Sequence, residues 1–215
     1  MSSSVDVYFS FRSPYSYLVT PDLRRLRSDF DLDIHLRPVL PLAVRRPDFF
    51  SPENIKRARY IMVDWPRRAE FLGMACHWPN PDPIVQDMET FTIAKDQPYI
   101  HRLTELGVEA ERRGKGIDFA YEVSHVLFGG TNNWHEGPHL AEAADRAGLN
   151  LGEMEATRDG GDHQSEIEAN QEALAEADHW GVPTLVFSGE PFFGQDRIET
   201  LRWRLEKSGI AKRSA

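Results

Sequence analysis

The feature that most constrains the fold of this 215-residue chain is that its strand-like segments lie only at the two ends. Near the start, Val5, Val7, Phe9 and Phe11 alternate with Asp6, Tyr8 and Ser10, a period of two that reads as a strand. Ser13-Pro14 follows, then a helical stripe of Tyr17, Leu18, Leu23 and Leu26. Proline at a first helical position, preceded by serine, is a common helix start. Leu32, Ile34 and Leu36 alternate again and predict a second strand. A β-α-β unit this short favours a right-handed crossover between parallel strands.

Beyond residue 181 the strand signal returns. Thr184-Leu185-Val186-Phe187, the turn Ser188-Gly189-Glu190 and Pro191-Phe192-Phe193 predict a hairpin. Gly194 then introduces a last helix with Ile198, Leu201 and Leu205 on one face. The intervening chain has helical periodicity over 52–74, 95–113, 116–128, 138–147, 151–158 and 164–178, interrupted by a proline-rich loop at 76–93. The expected organisation is an α/β domain of 1–42 and 179–215, split by a helical insertion of 43–178. The tail, 211–215, is expected to fray.

The formal charge of −9 offers no basic face for nucleic acid. No apolar stretch approaches the roughly 18 residues of a membrane span. The N-terminus lacks the charged and apolar regions of a secretion signal, so the cytoplasm is the expected compartment. Cys76 is the single cysteine and is expected to be a small buried apolar residue. His135-Glu136-Gly137-Pro138-His139 fits the H-E-x-x-H spacing of a zinc site. Gly137 and Pro138 predict a helix starting at Pro138, which breaks the one-turn spacing that zinc requires, so no metal is expected.

Three segments carry candidate chemistry. Ser13-Pro14-Tyr15-Ser16 either caps the first helix or presents a hydroxyl at its positive end, where anions are favoured. With cysteines for both serines it would be a Cys-Pro-Tyr-Cys redox motif; serine cannot perform dithiol exchange but can donate to a thiolate. Gly181-Val182-Pro183-Thr184 is either an ordinary loop or a cis-proline turn leaving the Val182 backbone free to pair with an extended ligand. Phe192-Phe193-Gly194-Gln195-Asp196-Arg197 is either a helix start with an acidic first turn or an anchor for an amino-acid end, the helix N-terminus holding the carboxylate and Asp196 pairing with the amine.

Taken together, "YFSFRSPYSYL" (8–18), "GVPTLVF" (181–187) and "EPFFGQDRIETL" (190–201) resemble the 2-hydroxychromene-2-carboxylate isomerases and the kappa-class glutathione transferases, within the wider group of bacterial disulfide-oxidising thioredoxin-like proteins. The resemblance implies a thioredoxin-like fold with a large helical insertion and glutathione as cofactor. By position it implies that Ser13 contacts the glutathione sulfur and that Val182, beside a cis Pro183, serves the cysteinyl portion. Gln195 and Asp196 would hold the γ-glutamyl group and Asn54 the glycyl side. The implied function is isomerisation of a hydroxychromene carboxylate in bacterial breakdown of aromatic compounds. A kappa-like transferase acting on an electrophile, or a redox-inactive thioredoxin-like binding module, are the alternatives. The implied partners are a small aromatic or electrophilic substrate and, as relatives are often dimers, a second copy of the chain. No stripe in the sequence marks a dimer interface.

Overall fold

A computed structural model describes residues 3–46, 55–87, 90 and 92–213. The chain opens with strand β1 (Ser4–Phe9), helix α1 (Pro14–Asp29) and strand β2 (Asp33–Pro38). A short α2 (Leu42–Arg45) leads to α3 (Ile55–Leu72), α4 (Pro98–Arg112), α5 (Gly116–Phe128), α6 (His139–Arg146), α7 (Leu151–Asp159) and α8 (His163–Glu176). Strands β3 (Thr184–Phe187) and β4 (Glu190–Phe193) and helix α9 (Ile198–Lys207) close the fold. The sheet order is β2-β1-β3-β4, with β1 parallel to β2 and antiparallel to β3. Val7 sits opposite Leu36 on one side and Leu185 on the other. This is a thioredoxin-like α/β fold with a helical insertion between its two halves.

Local chemistry explains the helix that matters most. Ser13 has extended φ/ψ of −82° and 118°, and its hydroxyl accepts the Ser16 N–H at 3.2 Å, while Pro14 occupies a position where no N–H is needed. Pro21 lies inside α1 and cannot donate to the Tyr17 carbonyl. The Thr20 hydroxyl donates to that carbonyl instead, at 2.8 Å.

One hydrophobic core runs through both the sheet and the insertion, joining Val7, Leu36 and Leu185 to Leu103, Val108, Phe119 and Ala143. Helix α4 approaches β2 closely because residue 107 is glycine. A Cβ there would stand 2.7 Å from Phe11 Cε2 and 3.1 Å from Pro38 Cγ. The same helix is tied to the strand by Glu111, which accepts the Leu36 N–H at 3.0 Å and lies 3.1 Å from His35 Nδ1.

Three expectations need correction. Cys76 is exposed, because the 74–79 loop runs over the surface instead of into the core. The C-terminal tail is held as far as Arg213: Asp31 N–H donates to Ala211 C=O at 2.8 Å and Arg213 N–H to Asp29 C=O at 2.9 Å. The final helix begins at Ile198, after a turn over Gly194–Arg197, and its acidic first-turn residue is Glu199. At the H-E-x-x-H segment, α6 starts at His139 and His135 lies in the preceding turn, so the two histidines do not share a helix. Among the described residues no helix is long and apolar enough to cross a membrane.

The close approach at Gly107 yields a stability prediction. Gly107→Ala gains up to about 1 kcal/mol of helix propensity but overpacks buried Phe11 and Pro38 at a cost of about 1–3 kcal/mol. A lowered urea midpoint with unchanged slope is expected. A midpoint at or above the wild-type value would show that Phe11 yields freely.

Candidate functional site

Because β1 and β3 are neighbours, the β1–α1 turn and the loop before β3 meet at one end of the sheet. There the Ser13 hydroxyl, besides capping α1, donates to the Val182 carbonyl at 3.4 Å. The Val182–Pro183 bond is cis. The Pro183 carbonyl accepts the Gly194 N–H at 2.9 Å, linking this loop to the turn that carries Gln195 and Asp196. Three segments from opposite ends of the chain thus form one surface. Among the described residues the Val182 N–H has no hydrogen-bond partner, which leaves a backbone donor for an extended ligand.

Gln195 and Asp196 are neighbours with different settings. Gln195 is 9% exposed and its Oε1 accepts from Arg68 Nε at 2.9 Å. Asp196 is exposed, paired with Arg197 at 3.2 Å. Asn54 lies outside the described residues. Next to Val182, Gly181 N–H donates to His179 Nδ1 at 3.1 Å, and burial holds the His179 pKa below its ordinary value. The His179 and Phe193 rings lie 4.2 Å apart, and a Cβ on Gly181 would come within 2.5 Å of Phe193.

Helix α3, from the insertion, covers this surface. The Tyr15 hydroxyl, two residues after Ser13, donates to Asp64 Oδ2 at 2.7 Å. Asp64 also accepts from Tyr60 at 3.1 Å and pairs with Arg67 at 2.7 Å. One turn later on the same face Arg68 reaches Gln195. Burial, and next the Asp64 hydrogen bond, push the Tyr15 phenol well above its ordinary value, so it remains a donor. The Tyr15 hydrogen bond is the largest cause holding Asp64 below the usual carboxylate range.

A second wall comes from the proline-rich loop. Arg12, directly before Ser13, makes a two-pronged bond to Asp82 at 2.7 and 2.9 Å. Asp82 also accepts from Trp78 Nε1 at 3.0 Å, and the Arg12 guanidinium stands 5.3 Å from the Trp78 ring centroid. Sequence reasoning missed Arg12, Asp82 and Arg68. Asp64 and Arg68 share one helix face at a spacing of four, but nothing in the pattern says what that face covers.

The DSBA-like thioredoxin domain family matches residues 4–206. No curated protein matches the sequence. Among solved structures, a 2-hydroxychromene-2-carboxylate isomerase is similar at a TM-score of 0.67 and 20% identity, covering 95% of each chain. The cytosolic disulfide reductase DsbM from Pseudomonas aeruginosa is similar at a TM-score of 0.56 and 17% identity, covering 95% of this chain and 99% of DsbM. Its structure with GSH gives 0.55 and 16%, covering 94% and 99%. At these identities the likeness establishes the fold alone.

Tyr15→Phe tests the link between α3 and the Ser13 turn. Asp64 has a depressed folded pKa, so its stabilising contribution is full above the unfolded value of about 3.9 and is lost as pH falls through the folded one. Removing the phenol should raise the Asp64 midpoint toward its ordinary value, read by carboxyl NMR titration. An unmoved midpoint would remove Tyr15 as the donor.

Proposed function

The chain belongs to the DSBA-like thioredoxin domain family, and from that premise we propose that it is a glutathione-dependent isomerase of the 2-hydroxychromene-2-carboxylate type. The observation carrying this reading is the Ser13 hydroxyl at the start of α1, in contact with the carbonyl beside a cis proline. The family's redox members work through cysteines, whereas these 215 residues contain one cysteine, exposed Cys76, and therefore no dithiol pair. A sulfur supplied by another molecule suits a serine in that position. The solved DsbM structure with GSH supports the tripeptide as that molecule.

Bound glutathione would lie with its cysteinyl backbone along Val182, its γ-glutamyl end at Gln195 and Asp196, and its sulfur at Ser13. The Asn54 role toward the glycyl side belongs to the same proposal. The Ser13 proton points at Val182 across 3.4 Å, a long and weak contact, so turning it toward a thiolate costs little. A free thiol with pKa about 8.5 must fall by about two units to be mostly thiolate at neutral pH, or about 2.7 kcal/mol. A hydroxyl donating to charge gives about 1.5–3 kcal/mol and a helix N-terminus up to about 2. Together they suffice without a buried cation.

In the reaction the thiolate forms a carbon–sulfur bond to the conjugated substrate and the ring carbon–oxygen bond opens. Rotation follows about the bond that has lost its double character. The enol left by ring opening then collapses to a keto group, its proton passing to the phenolate oxygen; the double bond re-forms as the carbon–sulfur bond breaks, and the thiolate is returned. The scissile atoms need no oxidant. A second copy of the chain is proposed as partner only on the strength of the resemblance.

Ser13→Ala is the test. Glutathione affinity should change only severalfold, while the bound thiol pKa, followed by ultraviolet thiolate absorbance, rises by about 1–2 units. Turnover of a hydroxychromene carboxylate should fall about 10²-fold at neutral pH, with part of the loss recovered at higher pH as the thiol ionises. An unshifted thiol pKa sinks the role of Ser13. A product that keeps glutathione attached assigns transferase chemistry instead.

A further inference from the structure

Arg68 is a half-buried cation that makes no ion pair among the described residues. Its Nε donates to Gln195 Oε1 at 2.9 Å, and its guanidinium carbon lies 4.8 Å from the Phe71 ring centroid. Its terminal N–H groups find no protein acceptor among the described residues and are not sealed from solvent. Gln195 is similar: although the residue is only 9% exposed, its amide nitrogen makes no hydrogen bond among the described residues and is not one of the buried orphan atoms. The bond to Arg68 settles the orientation of the amide. Its oxygen faces the guanidinium, so its nitrogen, the donor, is turned outward.

Side by side, then, stand a cation without an anion and an amide donor without an acceptor among the described residues. That pair suits a carboxylate. The adjacent Asp196 is an acceptor of opposite charge, about half exposed, whose partner Arg197 is also about half exposed. Such exposed pairs are weak and exchange readily with a ligand amine.

The geometry points to Arg68 as a specificity-determining residue that, with Gln195, receives the α-carboxylate of an amino-acid end whose ammonium meets Asp196. This rests on the glutathione reading and extends it. Arg68 acts twice: it supplies the charge, and it fixes the Gln195 amide so that a donor rather than a lone pair faces the ligand. The site therefore selects γ-glutamyl thiols, in which both α groups are free, over thiols that lack the carboxylate. The insertion helix α3 contributes a ligand contact as well as a wall.

Calorimetry on wild type, Arg68→Met and Arg68→Lys, each with glutathione and with the analogue lacking only the γ-glutamyl α-carboxylate, tests this. Wild type should bind the analogue about tenfold or more weaker than glutathione. Arg68→Met should weaken glutathione by a similar factor and leave the analogue unchanged. Arg68→Lys should restore part of the loss, since it keeps the charge but not the fork. The assignment fails if Arg68→Met binds glutathione as tightly as wild type, or if it weakens both thiols equally, which would mark a packing role. Wild-type protein that binds neither thiol overturns the glutathione reading and this assignment together, a pattern distinct from the other two.

Discussion

Two contacts at one end of the sheet mark how strand pairing assembles the candidate site. The Ser13 hydroxyl meets the Val182 carbonyl, and the Gly194 N–H meets the Pro183 carbonyl. Both exist because β1 is a central strand, parallel to β2 on one side and antiparallel to β3 on the other. Val5, Val7, Tyr8 and Phe9 are all buried there, so a register slip of one residue would exchange faces and separate the turns. The chemistry rests on strand pairing between opposite ends of the chain.

The helical insertion does more than fill the gap. It shares the core with the sheet, through contacts such as Gly107 against Phe11. It also sends α3 across the site, with Asp64 bound to Tyr15 and Arg68 bound to Gln195. The two ends of the proposed ligand, sulfur and γ-glutamyl, would each lie beside a residue that α3 holds in place. Motion of this one helix would disturb both together.

Serine at the head of α1 explains how a redox scaffold could serve a different reaction. The fold offers a helix N-terminus, a backbone edge beside a cis proline and a nearby turn rich in polar groups. None of these needs a protein thiol. Borrowing the sulfur separates nucleophile from scaffold, so activity in the proposed reaction depends on holding a tripeptide in one orientation.

The periodicities near the termini, the Ser13-Pro14 helix start and the six longer helices of the insertion were legible from residue order, since short-range sterics and side-chain burial set them; the single turn of α2 was not. Thr20 answering for Pro21 is local chemistry of the same kind. The cis peptide at Pro183 was one of two open readings, and three-dimensional context chose it; Ser13 does cap α1, and its role toward a ligand belongs to the proposal. Exposed Cys76 and the pinned tail went the other way, because a neighbour distant in sequence, or the lack of one, decides burial. Sequence alone determined a β-α-β start, a β-β-α end and a serine at the head of the first helix, where the redox relatives it resembles carry a thiol. Only the tertiary structure decided that Arg12 locks to Asp82, Asp64 to Tyr15 and Arg68 to Gln195. Such long-range side-chain hydrogen bonds leave no periodic trace, because their geometry is set by how whole elements pack and not by spacing along the chain.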